Sequence, residues 1–313
     1  MLRPDPFMTR PLYDPEKKED EIMKVQLLNL YSNEKESGSR LKNDHGQSFL
    51  ISIEDEQILF DVGQKSHLLL HNMSELNIFP NDVTKLVLSH GHRDHTGGLP
   101  GFLDKRTKKE KLPIFAHPDF REKKITKISF IKMPLGCPDL TQEQEVKLDF
   151  QLSEQSQQIT RCLKTTGEIV ERNEKDGVEP VAMHWEDGKL VVDPILDDLS
   201  LVLSTKEGEV IIVGCAHSGI LNICNYVTKI TKKRIKAIIG GTHMVRYSSD
   251  EVMYVANQLE KKYDCPDLYL NHCTDKFPMP FIKKTKTINI LKKRFGQEKV
   301  KNCYVGTKIT FEC

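Results

Sequence analysis

The stretch Lys85-Leu-Val-Leu-Ser-His-Gly-His-Arg-Asp-His-Thr-Gly-Gly-Leu99 brings His90, His92, Asp94 and His95 into six consecutive positions. The apolar run Leu86 to Leu88 reads as a short buried strand. The polar cluster after it cannot continue a sheet, so the four side chains are expected on a loop at the strand's C-terminal end. Gly97 and Gly98 then release the chain into its next element. Imidazole and carboxylate suit zinc, iron or manganese. A loop lets side chains at these spacings turn towards two neighbouring points, which a straight strand forbids. Two divalent metal ions are therefore expected, zinc in the first place and iron or manganese as alternatives. The competing reading, a polar surface loop rich in histidine, does not account for a His-x-His-x-Asp-His run placed between an apolar strand and Gly-Gly.

With 313 residues the chain is long enough for one large α/β domain or two small ones, and for an ample core. Lys plus Arg number 46 against 45 Asp plus Glu, a formal charge of +1. That balance gives no electrostatic case for nucleic acid or an anionic membrane as the main partner. The lysine clusters around 105–111 and 283–293 read as solvated faces. No apolar run approaches the roughly 20 residues of a membrane helix, and the N-terminus lacks the apolar segment of a secretory signal. A cytoplasmic protein acting on a small-molecule substrate is expected, with homo-oligomerisation left open. The eight cysteines form no Cys-x-x-Cys pair, which argues for reduced core residues over a zinc ribbon or redox dithiol.

Residues 1–22 are rich in proline and charge and read as an extension or arm; residues 23–313 read as the folded domain. Strands are expected over 24–31, 47–53 and 57–61, as a meander feeding the metal loop. Asn43-Asp-His-Gly-Gln-Ser48 is a turn in which His45 takes a loop role. After the metal loop come a helix over 99–105 and the strand Leu112-Pro-Ile-Phe-Ala-His-Pro118, with His117 structural. Residues 121–190 are charged and turn-rich, and so long an irregular stretch reads as an insertion that lids or lines a site. Beyond it, Gly208-Glu-Val-Ile-Ile-Val-Gly214 is a turn and a buried strand ending in Cys215-Ala-His-Ser-Gly219. A helix follows over 221–232. The next strand, Ile235-Lys-Ala-Ile-Ile-Gly-Gly-Thr-His-Met244, ends in Gly-Gly, which lets backbone approach a ligand closely and makes His243 a substrate contact or proton-transfer group. Asp267 to Leu270 then delivers Asn271-His-Cys-Thr274. Strands alternating with helices in two successive halves predict an α/β fold, a β-sandwich flanked by helices (αββα), with the site at strand ends between the halves.

The His-x-His-x-Asp-His run resembles the signature of the metallo-β-lactamase-fold superfamily, and the likeness spans about 24–313. It implies that His90 and His92 hold one metal, and Asp94 and His95 the second. Leu59-Phe-Asp-Val-Gly-Gln64 resembles the first superfamily motif, whose carboxylate, here Asp61, would orient the metal-binding histidines from behind; capping the helix at 66–76 is the alternative. Two departures stand out. Leu163-Lys-Thr-Thr-Gly-Glu-Ile169 occupies the place of the usual third-motif histidine and has none, and Cys215 stands in the slot of the usual bridging aspartate. His217 is therefore assigned as the remaining ligand of the first metal, and Cys215 either ligates as a thiolate or packs. His272 fits the last metal ligand. Gly-Cys-x-His-Ser-Gly, Gly-Gly-x-His, His-Cys-Thr and the closing Val-Gly-x-x-Ile look like one branch of the superfamily, with Ser218 and His243 placed as substrate contacts. That branch implies a metal-dependent hydrolase of a small ester, lactone or phosphoester, in which Asp94 and His243 handle protons. Its alternative is a transferase joining a dihydropterin-methyl diphosphate to an arylamine ribose phosphate in methanopterin-type cofactor assembly. A nuclease or a non-catalytic metal-binding member is the second alternative; the balanced charge and lack of a nucleic-acid-binding domain speak against the nuclease.

Overall fold

In the computed structural model, which describes residues 22–276 and 284–313, the meander expected ahead of the metal loop is present. Its strands are β1 (Lys24–Tyr31), β2 (Ser48–Ile53) and β3 (Glu56–Phe60). The extension expected over 1–22 lies outside the described residues except for Ile22. The helix α1 (Ser66–Glu75) leads to β4 (Lys85–Val87); the metal loop and its one-turn helix α2 (Arg93–Thr96) follow, then α3 (Leu99–Lys105) and β5 (Leu112–Ala116). The middle of the chain supplies β6 (Lys124–Ile128), β7 (Ile131–Pro134), α4 (Gln142–Glu145), β8 (Leu148–Leu152), β9 (Leu163–Thr165), β10 (Ala182–Glu186) and β11 (Lys189–Val192). The second half runs β12 (Ser200–Thr205), β13 (Gly208–Val213), α5 (Ile220–Thr231), β14 (Ile235–Gly240), α6 (Ser249–Tyr263), β15 (Asp267–Leu270), α7 (Thr287–Phe295), β16 (Val300–Asn302) and β17 (Lys308–Glu312).

These strands form a seven-stranded sheet, β17-β1-β2-β3-β4-β5-β8, and a six-stranded sheet, β16-β15-β14-β13-β12-β9. Their facing sides share one core: Val25, Leu27, Phe49, Ile51, Ile58 and Phe60 meet Leu201, Leu203, Val210, Ile212, Ala237 and Ile239. The outer faces are covered in turn. Leu69 and Met73 of α1 and Leu99, Phe102 and Leu103 of α3 pack on the first sheet. Ile223 and Val227 of α5, Val252, Val255 and Leu259 of α6, and Ile288 and Leu291 of α7 pack on the second. Coverage on both faces is why β13 reads as a continuous apolar run: Val210 and Ile212 point one way, Ile211 and Val213 the other. The layers are helix, sheet, sheet, helix.

The parallel strands position the site. β3 lies parallel to β4, and β13, β14 and β15 run parallel to one another. Their C-terminal loops carry Asp61, His90 to His95, Cys215 to His217, His243 and His272, at the strand ends where α/β sheets place ligands. The backbone of these loops is demanding: Asp61, Ala216, His243 and His272 have φ of 62°, 56°, 52° and 47°. Left-handed non-glycine residues cost on the order of 1 kcal/mol each and persist only where their surroundings hold them.

The stretch 121–190 departs from the expectation of one irregular insertion. β8 pairs parallel with β5 and β9 pairs antiparallel with β12, so both complete the sandwich. Only β6, β7, β10 and β11 are additional, forming a separate antiparallel sheet in the order β11-β10-β6-β7. The β8 and β9 strands are short and amid charged, turn-rich sequence, which hides the buried Leu148 and Leu163 that anchor them.

Candidate metal centre

His90, His92 and His217 form one cluster and Asp94, His95, Cys215 and His272 another, the ligand atoms within each lying inside 4.8 Å of one another. In the first, all three Nε2 atoms are buried without a hydrogen-bond partner. The neighbours explain which nitrogen is left over. Ser89 Oγ donates its one proton to Asp61 Oδ2 at 2.9 Å, so at its 2.9 Å contact with His90 Nδ1 it accepts. His217 Nδ1 donates to the Gly177 carbonyl at 3.0 Å. Both rings therefore turn an Nε2 lone pair inward, as metal-bound histidines do. Burial pushes the His90 and His217 pKa values well down, with neighbouring imidazoles adding to it. Burial and then the Lys124 ammonium push His92 down to about 4. Three buried, neutral imidazoles whose Nε2 atoms have no partner are what a divalent cation would satisfy.

The second cluster shows the same design with anionic support. His95 Nδ1 donates to Asp61 Oδ2 at 2.6 Å, and His272 Nδ1 donates to Asn33 Oδ1 at 2.7 Å. The Gly46 N–H also donates to that oxygen, which sets the orientation of the Asn33 amide. With both Nδ1 atoms committed, the Nε2 atoms of His95 and His272 face each other at 3.2 Å, beside Cys215 Sγ, 3.1 Å from His95 Nε2. Two lone pairs repel at that distance unless a proton or a cation lies between them. Burial opposes a proton on His95, but Asp61 and Asp94 outweigh it and raise the pKa to about 9. A bound metal would take that proton's place. Asp94 Oδ2 lies 3.2 Å from His272 Nε2 and 3.0 Å from His45 Nε2. Although burial works against the carboxylate, His95 and His45 hold it well below the usual range.

The two clusters lie at a cavity of about 430 Å³ lined by His45, His92, Asp94, Cys215, His217 and His243, with Arg93 beside them. Its opposite wall is Met133, Pro134 and Leu135 from the β7 end and Val181 and Ala182 from the β10 start. The additional sheet is thus a wall over the metal centre. Lys124 of β6 reaches under it to Asp197 Oδ1 at 2.5 Å and Asp193 Oδ2 at 3.1 Å. Asp197 Oδ2 accepts the Gly91 N–H at 2.7 Å, between His90 and His92. At Gly91 a Cβ would meet the Phe120 carbonyl oxygen at 2.2 Å, so the loop passes where only glycine fits.

Of the residues singled out from sequence, the structure brings His90, His92, Asp94, His95, His217, His272 and Cys215 into the two clusters, with Asp61 directly behind them. Asp61 does not cap α1, whose N-terminus has no side-chain cap. His243 lines the cavity, whereas Ser218, expected as a substrate contact, is fully buried behind it, its backbone N–H donating to Asp198. His117 lies outside both clusters, with Nδ1 accepting the Asp119 N–H. His45, read as a loop residue, is both loop and site. Its Nδ1 lies 3.2 Å from Asn33 Nδ2, which can only donate, so Nε2 is the nitrogen that donates to Asp94. Nothing in the local spacing of Asn33, Glu179 and Asp197 marks them, and Cys273 is visible only as the middle residue of the His-Cys-Thr motif, with no role attached.

A family model described as the metallo-beta-lactamase superfamily matches residues 41–227. The chain is 33% identical over 248 residues to the 7,8-dihydropterin-6-methyl-4-(beta-D-ribofuranosyl)-aminobenzene-5'-phosphate synthase of Methanocaldococcus jannaschii, covering 74% of this chain and 81% of that protein. It is 24% identical to a ribonuclease Z of Bacillus cereus, over 66% and 69% of the two chains. The crystal structure of a metal-dependent hydrolase of the beta-lactamase superfamily superposes with a TM-score of 0.73 at 24% identity, covering 91% of this chain and 98% of that one.

Proposed function

Because this chain belongs to the metallo-beta-lactamase superfamily, we propose that it is a two-metal enzyme, a hydrolase of a small ester, lactone or phosphorylated substrate. The observation that carries this reading is the set of partnerless Nε2 atoms of His90, His92 and His217 beside the cluster of Asp94, His95 and His272, with His92, His217 and Asp94 reaching one cavity. A first metal would be held by His90, His92 and His217, and a second by Asp94, His95 and His272 with Cys215. Zinc fits these donors, as do iron and manganese. Such ions, when bound, supply Lewis acidity to a developing negative charge and acidify water at neutral pH.

The chain's own residues do the rest. His45, held by Asn33, donates to Asp94 and fixes which way that carboxylate faces. Arg93 lines the cavity as an exposed cation for an anionic group of the substrate. Met133, Pro134, Leu135 and Val181 offer an apolar wall to a planar or hydrocarbon part. His243, with Nε2 on Glu179 Oε1 at 3.0 Å, is placed to hold or pass a proton at the cavity.

A second reading is favoured by the 33% identity to the M. jannaschii synthase. Here an arylamine takes the place of water and displaces diphosphate from a dihydropterin-methyl diphosphate, on the same donors and the same apolar wall. A panel of lactones, carboxylic esters and phosphoesters tests the first reading with the metal-loaded protein, alongside His92→Ala. Turnover that falls at least about 100-fold in the variant, with the far-ultraviolet circular dichroism unchanged, supports the hydrolase. No turnover on the panel, together with mass-spectrometric detection of the pterin–arylamine product, would transfer the assignment to the second reading.

A further inference from the structure

We propose that Cys215, Cys273 and His243 form a third metal position, suited to a thiophilic divalent ion and sharing Cys215 with the cluster of Asp94, His95 and His272. The proposal goes beyond the two-metal reading, since neither Cys273 nor His243 belongs to either of the clusters that carry it.

One ligand atom from each of the three residues lies within 4.8 Å of the others. The donors come from three successive strand ends, after β13, β14 and β15, and all three residues line the cavity although their side chains are buried. A Cys₂His set with its remaining position open to a cavity is the arrangement of catalytic zinc sites, and thiolates select soft ions. Two details go beyond proximity. His243 Nε2 is bound to Glu179 Oε1 at 3.0 Å, and Arg246 pairs with the other Glu179 oxygen. That carboxylate support of one ring nitrogen repeats the Asp61 support of His95, the mark of a ligating imidazole. The Cys273 sulfur, for its part, accepts the His243 backbone N–H at 3.3 Å, the type of contact that supports a thiolate. The left-handed backbone at His243 and at His272, next to Cys273, is what turns both side chains to the same point. A purely apolar packing role for the two cysteines would call for neither the N–H donor nor a buried Glu179 carboxylate on the His243 ring.

The full chain, stripped with a chelator under reducing conditions and titrated with cadmium as the probe, tests this by metal analysis after desalting and by the ultraviolet thiolate-to-cadmium band. The wild type should take up about three ions per chain. Cys273→Ser should take up about two and lose roughly half of the band, and His243→Gln should weaken the third ion at least about tenfold. His92→Ala should lose a different ion and keep the band, which separates failure of the two-metal reading from failure of this one. Saturation of the wild type at two ions overturns the proposal whether or not the variants fold. So do variants that titrate like the wild type.

Discussion

Asp61 shows how little of a metal centre is its ligands. Its Oδ1 accepts the Ser89 N–H at 2.7 Å, and its Oδ2 accepts both Ser89 Oγ and His95 Nδ1. One carboxylate thereby sets the tautomer of His95 directly and that of His90 through Ser89. Asp61→Ala leaves the buried Ser89 N–H without its acceptor, costing about 1 to 3 kcal/mol. It also lets the two rings turn, so metal affinity is expected to fall about 10 to 100-fold. Competition against a chromogenic chelator measures this; an unchanged affinity would mean the rings are held by packing alone. The residues that sequence reading recovers here are those packed within one short run, His90 to His95, or placed at a strand end, such as Asp61, His217 and His272. Asn33 and Glu179 act through partners 239 and 64 positions away, and the His-Cys-Thr motif does not report that Cys273 pairs with a residue 30 positions away; no local pattern reports such pairs. His45 fails for a different reason: a Gly-containing turn is legible, but which way its histidine faces is decided by Asn33 and Asp94.

At the scale of elements, the additional sheet is tied to the metal loop by the buried Lys124, Asp193 and Asp197. Burial alone would raise the Asp197 pKa, but Lys124 holds it below its ordinary 3.8. Burial alone would lower that of Lys124, but Asp197 and Asp193 raise it above its ordinary 10.5. The depressed carboxyl contributes stability present above 3.8 and lost as pH falls through its folded value. The raised ammonium contributes stability present below 10.5 and lost as pH rises through its folded value. Both contributions are complete between those limits. Lys124→Met strands two buried carboxylates and should destabilise by about 3 to 5 kcal/mol. Without the ammonium, burial raises the Asp197 pKa above its ordinary 3.8, so the difference from wild type in unfolding free energy should be largest at alkaline pH and should already shrink above about pH 4, as the stranded carboxyl takes up a proton in the folded variant. Denaturant unfolding at a series of pH values checks this, and a difference constant down to pH 3 would remove the ion triad as its cause. The sequence marks this region as unusual but not as two things at once. Period-2 alternation in strands of three to five residues amid lysines and prolines is too short to separate β8 and β9, which finish the sandwich, from β6, β7, β10 and β11, which wall the site.

At the scale of the whole molecule, the sandwich is legible because both halves alternate apolar strands with amphipathic helices. The order of strands is not: β17 returns across the chain to pair with β1, Ile309 opposite Leu27, and long-range pairing leaves no local trace. The metal centre straddles the division. The first half supplies His90, His92, Asp94 and His95 and the second supplies His217 and His272, so bound metal would join the two halves and bind only when they are docked. A ligand that binds the folded state alone stabilises it by about 2.7 kcal/mol at a free concentration 100 times its Kd, so two ions give roughly 5 kcal/mol. For a domain of this size that corresponds to a rise in Tm on the order of 10 °C. Chelation should therefore lower the Tm of the wild type by about that much, and of His217→Ala by about half as much, because only the second position would keep its full set of ligands. Differential scanning calorimetry with and without chelator measures both. Equal shifts in the two proteins would mean that His217 contributes nothing to holding the halves together, and the first metal would then rest on His90 and His92 alone.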